Sequence, residues 1–171
     1  GLVMLIHINL PHKFLANLFG FYHRMRQVYC WTSFEEDCNE PEIFLSYLIA
    51  GIQQRFPESM QHLAQISSSS QMPSDEAIAQ TLNNELHDLP EPIMIVLDDF
   101  HVIRNKSIIH IFNEIIKYPP ENVQIALLSR FDPALNKARL QAYQQISEIR
   151  MSDLRLSVKE IIELAQRSVQ M

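Results

Sequence analysis

Short, uninterrupted runs of apolar residues alternate along this chain with longer segments in which apolar residues recur at helical spacing. The runs occupy 3–8, 28–33, 93–97, 123–128 and 146–149. A run without polar alternation is typical of a strand that is buried on both faces and joined to the next strand by a crossover helix. The pattern therefore predicts an α/β fold with a mostly parallel sheet of five strands.

Helical periodicity fills the segments between these runs. One predicted helix ends before Pro119 and has an apolar stripe formed by Ile108, Ile109, Phe112, Ile115 and Ile116. A second, at 41–56, starts with Pro41 and should bury Phe44, Tyr47, Leu48, Gly51 and Ile52. Further helices are predicted at 14–25, near 75–87 and from Ser157, where Glu160 completes a capping box.

Composition and charge narrow the class of protein. The chain has 171 residues, of which 47% are hydrophobic and 20% charged, which suits one globular domain. Its net charge is −6 and no block of Lys and Arg occurs, which argues against direct nucleic-acid contact. The apolar start is too short for a membrane helix. Cys30 and Cys38 form no metal-binding pattern, so we expect reduced thiols in a cytoplasmic protein.

The run at 93–97 stops abruptly at two adjacent carboxylates, Asp98 and Asp99. In open α/β sheets, ligands bind beyond the carboxyl ends of the strands. In a phosphoryl-transfer site Asp98 would hold Mg²⁺, and Asp99 would orient or polarise the attacking water. The competing interpretation is architectural, since Asp also caps strands and starts turns. A hydrolytic metal site that adds His101 and His110 is disfavoured, because the spacing fits no standard ligand set.

Blocks of sequence around and beyond the two acids match one family in order. They are WTSFEEDCNEP at 31–41, LPEP at 89–92, FHVI at 100–103, LLSRFDPAL at 127–135 and DLRLS at 153–157. Together they closely resemble the ATPase domain of MalT-like LuxR-family transcription regulators. The resemblance implies a three-layer α/β/α P-loop NTPase of the signal-transduction (STAND) class. In the complete regulators this domain is usually followed by a winged helix, a sensor repeat array and a helix-turn-helix, none of which occurs in this chain.

The resemblance also assigns a role to the end of the fourth strand. In the family, a polar residue and an arginine there sense the nucleotide, and the matching residues here are Ser129 and Arg130. A guanidinium beside the γ-phosphate supplies donors and charge where negative charge develops. Without the family, an exposed arginine at the end of a strand would be the simpler interpretation.

The phosphate loop departs from the family pattern. The first strand should be followed by G-x-x-x-x-G-K-[ST], whose backbone amides wrap the phosphates. Here His7 and His12 replace the glycines, and Phe14 replaces the residue that ligates magnesium, while Lys13 remains. Pro11 removes an N–H donor. Three explanations stay open: a degenerate loop in a retained scaffold, which we favour, a true loop upstream, or a misaligned Lys13.

The sequence thus predicts a nucleotide-binding core at 1–156 and the start of a truncated helical lid at 157–171. We expect the ATPase switch domain of a regulator, with ATP or ADP and Mg²⁺ as its implied cofactors and weak or absent hydrolysis. Lys13 would then contact phosphate. The alternative is an inactive interaction module. Expected partners are other domains of a longer regulator or a second copy, with no membrane.

Overall fold

The computed structural model describes residues 28–69 and 71–150, together with the backbone course of residues 2–7. Within these ranges one sheet contains the strands β1 Leu2–His7, β2 Val28–Ser33, β3 Ile93–Asp98, β4 Val123–Ser129 and β5 Ile146–Ile149. The strands are all parallel and lie in the order β2-β3-β4-β1-β5. The predicted α/β class with a parallel sheet is confirmed.

Five α-helices pack around or beside this sheet in the described part of the chain. They are α1 Pro41–Gln53, α2 Gln61–Ser67, α3 Asp75–His87, α4 Lys106–Lys117 and α5 Ala138–Ala142. Short 3₁₀ turns at Glu36–Asn39 and Phe100–Val102 follow β2 and β3. The predictions for α1, α3 and α4 are confirmed, whereas α2 and α5 were not predicted. The predicted helices at 14–25 and from Ser157, the phosphate loop and the boundary at 156 lie outside the described residues.

β3 is buried at every position, as its uninterrupted apolar run predicted. The side chains of Ile93, Ile95 and Leu97 point to one face and join the core formed with α1, α3 and α4. Two cross-strand pairs, Cys30 with Ile95 and Thr32 with Leu97, extend this face across β2. Close packing of this face against the helices therefore fixes the ends of β2 and β3 relative to one another.

Four phenylalanines pack directly behind the carboxyl edge of the sheet. Phe34, just after β2, stacks on Phe44 of α1 at 4.9 Å between ring centroids. Phe100, just after β3, meets Phe112 of α4 edge-on at 5.1 Å. Such pairs add about 0.5–1.5 kcal/mol beyond the area that they bury. They hold the chain leaving β2 and β3 against α1 and α4.

Two details of the predicted helices need correction. Tyr47 was predicted to be buried but is 40% exposed, because α1 turns Leu45 and Ile49 into the core instead. In α4 Ile111 is fully buried although it was not predicted to be, whereas Ile109 is only half-buried. In both helices the other four predicted positions are buried, so each predicted face is right apart from one position at its edge. Both cysteines are buried and free, as expected.

Candidate functional site

Asp98 is the last residue of β3 and only 4% exposed. Its Oδ1 accepts a hydrogen bond from the backbone N–H of Asp99 at 2.8 Å. Its backbone carbonyl accepts one from the N–H of Phe34 at 3.1 Å, which ties the chain after β2 to the end of β3. Because a buried carboxylate requires hydrogen-bonded or charged partners, Asp98 is held in one orientation at the sheet edge.

Asp99 adopts a left-handed backbone conformation, with φ 54° and ψ 31°. Asp and Asn tolerate this region better than most residues with a Cβ. The conformation reverses the chain into the 3₁₀ turn, where the N–H of Val102 donates to the Asp99 carbonyl at 3.0 Å. Asp99 thus starts a turn, as the architectural interpretation predicted, and its side chain is 28% exposed. Two adjacent acids consequently occupy different environments, one buried and one open to the edge.

The register of the sheet brings the end of β4 beside these acids. Leu97 pairs with Leu127, so Asp98 and Ser129 lie on neighbouring strands, about one residue apart in level. Ser129 in turn pairs with His7, the last residue of β1. The carboxyl ends of β3, β4 and β1 therefore adjoin, which is where ligands bind in open parallel sheets.

The two predicted sensor residues have different surroundings. Ser129 is 2% exposed, and its hydroxyl donates to the backbone carbonyl of Phe131. Arg130 is exposed and forms no ion pair with any described residue. The Ser129 hydroxyl thus shapes the turn after β4, while the Arg130 side chain is open to solvent.

Asn39 joins the loops after β2 and β3, a role that the sequence did not reveal. Its Nδ2 donates to the carbonyl of Val102 at 2.8 Å and to that of Glu36 at 3.1 Å. Its Oδ1 accepts from the backbone N–H of Arg104 at 2.7 Å and of Asn105 at 3.0 Å. One amide therefore uses both its donors and its acceptor to hold the turn that carries Asp99. The one sequence signal is that Asn39 is the last residue of the acidic turn Glu36–Asn39.

The alternative hydrolytic metal site would combine Asp98, Asp99, His101 and His110, but the structure does not bring all four side chains together. His110 Nε2 lies 3.1 Å from Glu76 Oε1, between α4 and α3, rather than beside the acids. No cluster of three or more His, Cys, Asp or Glu side chains suited to a metal occurs in the described ranges. Mg²⁺ bound with a nucleotide needs no such cluster, since it takes one or two carboxylates, waters and phosphate oxygens. The acids at the end of β3 fit that demand.

Sequence comparison identifies relatives of this chain. No known protein-family model matches it. Over 130 residues it is 33% identical to the HTH-type transcriptional regulator MalT of Yersinia enterocolitica and 34% identical to that of Serratia proteamaculans. Each match covers 76% of this chain. The chain belongs with the MalT-type regulators. The resemblance predicted from the sequence blocks is thereby confirmed.

The matching part is a small share of these MalT relatives, since the chain spans 14% of their length. Among solved structures, a chain of the "Structure of Drosophila ORC bound to GC-rich DNA and Cdc6" aligns with 87% of this chain and 25% of its own length. The TM-score is 0.46 and the identity 13%, which is too distant to bear on function. In the described residues, no helix is long and apolar enough to cross a membrane.

Proposed function

We propose that this chain is the nucleotide-binding switch domain of a MalT-like, LuxR-family transcription regulator, with an altered phosphate loop and weak or absent ATP hydrolysis. The observation that carries the proposal is the pair of acids at the end of strand β3, one buried and one open, at the same edge of the sheet as the exposed Arg130, which directly follows β4. Two further facts support the proposal: the sequence similarity to MalT regulators, and the position of the acids at the carboxyl edge of a parallel sheet, where ligands bind.

Each residue would contribute a distinct interaction with ATP or ADP. Asp98 would hold Mg²⁺, which neutralises phosphate charge. Asp99, more exposed, would orient water, and Arg130 would contact the terminal phosphate. Lys13 would meet the phosphates from the segment after β1, in accordance with the sequence pattern. Loss of the terminal phosphate would release these contacts and change the conformation of the switch.

The competing function is an interaction module that has kept the fold without the ligand. Two observations favour it. The segment after β1 lacks the glycines and the hydroxyl residue of a phosphate loop. The Ser129 hydroxyl is already engaged by Phe131. Under this alternative the predicted partners are other domains of a longer regulator or a second copy of the chain.

Calorimetric titration of ATP and of ADP, with and without Mg²⁺, separates the two functions. We expect saturable binding that Lys13→Ala and Arg130→Ala weaken about tenfold, equivalent to about 1.4 kcal/mol. Asp98→Asn should weaken binding only when Mg²⁺ is present. Matched controls at the opposite edge of the sheet are Arg55→Ala, whose side chain donates to the Tyr29 carbonyl, and Asp88→Asn.

A circular-dichroism melt of every variant shows whether it is folded. A folded chain that gives no saturable heat at millimolar nucleotide would reject the switch and support the interaction module. If the wild type also hydrolyses ATP, Asp99→Asn should abolish turnover and leave affinity unchanged. For the interaction module, the same substitution should alter stability only slightly.

A further inference from the structure

A groove of about 520 Å³ lies between β2 and α1, and we call it the edge groove. Among the described strands β2 is the outermost on this side of the sheet, so the groove opens at the sheet's edge. It is lined in part by Trp31, Thr32 and Ser33 from β2 and by Tyr47, Ala50 and Gly51 from α1. The acids at the end of β3 do not line it. Its volume falls in the range of ordinary ligand sites, about 300–1,000 Å³.

The wall of the edge groove formed by β2 carries a buried hydroxyl group without a partner. Thr32 is 5% exposed, and its Oγ1 makes no hydrogen bond with any described residue. This oxygen points toward Gly51 on the opposite wall, where an added Cβ would lie 2.3 Å from it. Buried hydroxyl groups in folded proteins are nearly always paired. An unpaired one in the wall of a groove is the state expected when a bound ligand supplies the partner.

The electrostatic field at one end of the edge groove favours a cation. Residues 28–54 include five acidic residues, in the loop after β2 and the first turn of α1, and no Lys, Arg or His. Glu36 lies 3.8 Å from Arg104, whereas the other four are exposed and form no ion pair with any described residue. The charge of Asp37, more than any other group, raises the pKa of the Tyr47 hydroxyl. The negative field therefore reaches the wall of the groove.

The other end of the edge groove is covered by a cation that is already engaged. Arg55 follows α1, and its Nε donates to the carbonyl of Tyr29 at 3.2 Å. Its guanidinium also lies 5.7 Å from the centroid of the Tyr29 ring. A segment that lies in the groove would therefore meet Arg55 at the start of β2 and the carboxylates at its end, which gives the groove a direction.

We propose that the edge groove binds a basic peptide segment of a partner protein, with an Arg or Lys side chain at the acidic end and an apolar side chain against Ala50 and Gly51. A cation over the Tyr47 ring adds to the attraction of the carboxylates. Oγ1 of Thr32 would donate to a carbonyl of the segment. A second copy of this chain is a poorer occupant, because its net charge is −6. The inference does not depend on nucleotide binding, so either proposal can fail without the other.

The first experiment selects the ligand from random dodecapeptides displayed on phage. The target is the whole chain, and the Ala50→Gln variant removes peptides that bind elsewhere. Ala50 is exposed on α1, so a longer side chain that favours helices narrows the groove without unfolding the helix. We expect enrichment of peptides that combine Arg or Lys with apolar residues. Enrichment of acidic or uncharged peptides, or no enrichment at all, would overturn the proposal.

The second experiment follows the fluorescence anisotropy of a labelled selected peptide. Glu35→Gln combined with Asp37→Asn should weaken binding about tenfold. Added salt should weaken the wild-type complex more than that of the double variant. The matched control combines Glu91→Gln with Glu121→Gln, which removes the same charge at exposed positions before β3 and β4. Equal weakening by the two pairs would mean attraction to an acidic chain in general and would overturn the proposal.

Further variants test the groove itself with the same labelled peptide. Ala50→Gln should weaken binding about tenfold, whereas Ala142→Gln, at an exposed position of α5, should not. Thr32→Val keeps the branched shape and removes the hydroxyl, so it should weaken binding severalfold while the melting temperature does not fall. Wild-type affinity in both groove variants would overturn the proposal. Sedimentation velocity tests the other occupant, since a dimer that Ala50→Gln dissociates would assign the groove to a second copy and overturn it as well.

Discussion

Gly51 of α1 lies against β2, where one hydroxyl group limits the side chain that the helix can carry. An ideal Cβ at Gly51 would sit 2.3 Å from Oγ1 of Thr32, far inside contact distance. Thr32 is 5% exposed, and its Oγ1 has no hydrogen-bond partner among the described residues. Glycine is thus required here for space, since the helical backbone at this position suits any residue.

We expect Gly51→Ala to lower the free energy of unfolding by about 1–3 kcal/mol, through overpacking, even though alanine favours helices by about 1 kcal/mol. Thr32→Ala should remove the obstructing oxygen, so the double variant should recover most of the loss. Urea denaturation of the four proteins of this double-mutant cycle measures the coupling. Strictly additive effects would show that the close approach has no energetic consequence.

At the scale of elements, charged side chains join the end of β5 to the loop after β4. Lys137 Nζ lies 2.8 Å from Asp132 Oδ1 and 3.0 Å from Glu148 Oε1. Arg150 NH2 donates to Glu148 Oε2 at 2.7 Å. The hydrogen bond from Lys137, followed by that from Arg150, lowers the pKa of the Glu148 carboxyl group. β5 is half-exposed, and this network ties its end to the loop after β4.

Because the pKa of Glu148 is lower in the folded chain, its stabilisation is present above the ordinary glutamate pKa and is lost as the pH falls through the folded value. Glu148→Gln should therefore lower the melting temperature at pH 7, and the difference from the wild type should shrink below about pH 4. Melts of both proteins between these pH values test this. Glu121→Gln, at an exposed position before β4, is the control. A difference that does not vary with pH would indicate lost packing instead.

The sequence predicted elements well where burial alone defines them. The apolar runs at 93–97 in β3 and 125–128 in β4 reflect strands that are covered on both faces, and α4 has a stripe wide enough to recognise. α2 could not be predicted, since its start depends on a distant residue. Glu85 of α3 accepts the backbone N–H groups of His62 and Leu63, both at 3.0 Å. A helix cap that comes from another helix leaves no signal in the local sequence pattern.

In the candidate site, the acids could be predicted from the sequence, whereas the contacts between loops could not. Asp98 and Asp99 follow from an apolar strand that ends in acids, and the sheet register now places Ser129 on the neighbouring strand. Their roles toward a ligand stay predictions. The part that Asn39 plays depends on contacts between loops that lie far apart in sequence, so spacing alone could not reveal it.

At the scale of the whole molecule, the charge balance leads to a prediction about ligands. The chain carries 20 acidic and 14 basic residues, a net charge of −6, and so repels polyanions in general. We expect the fluorescence anisotropy of a labelled DNA duplex to stay flat at low salt up to about 10 µM chain, in the range where non-specific binders respond. Saturable binding that weakens as salt rises would contradict this and assign phosphate contacts to the chain's surface. Nucleotide binding without DNA binding would instead require a local site, since an acidic chain can hold a polyphosphate only where a few cations and amides converge.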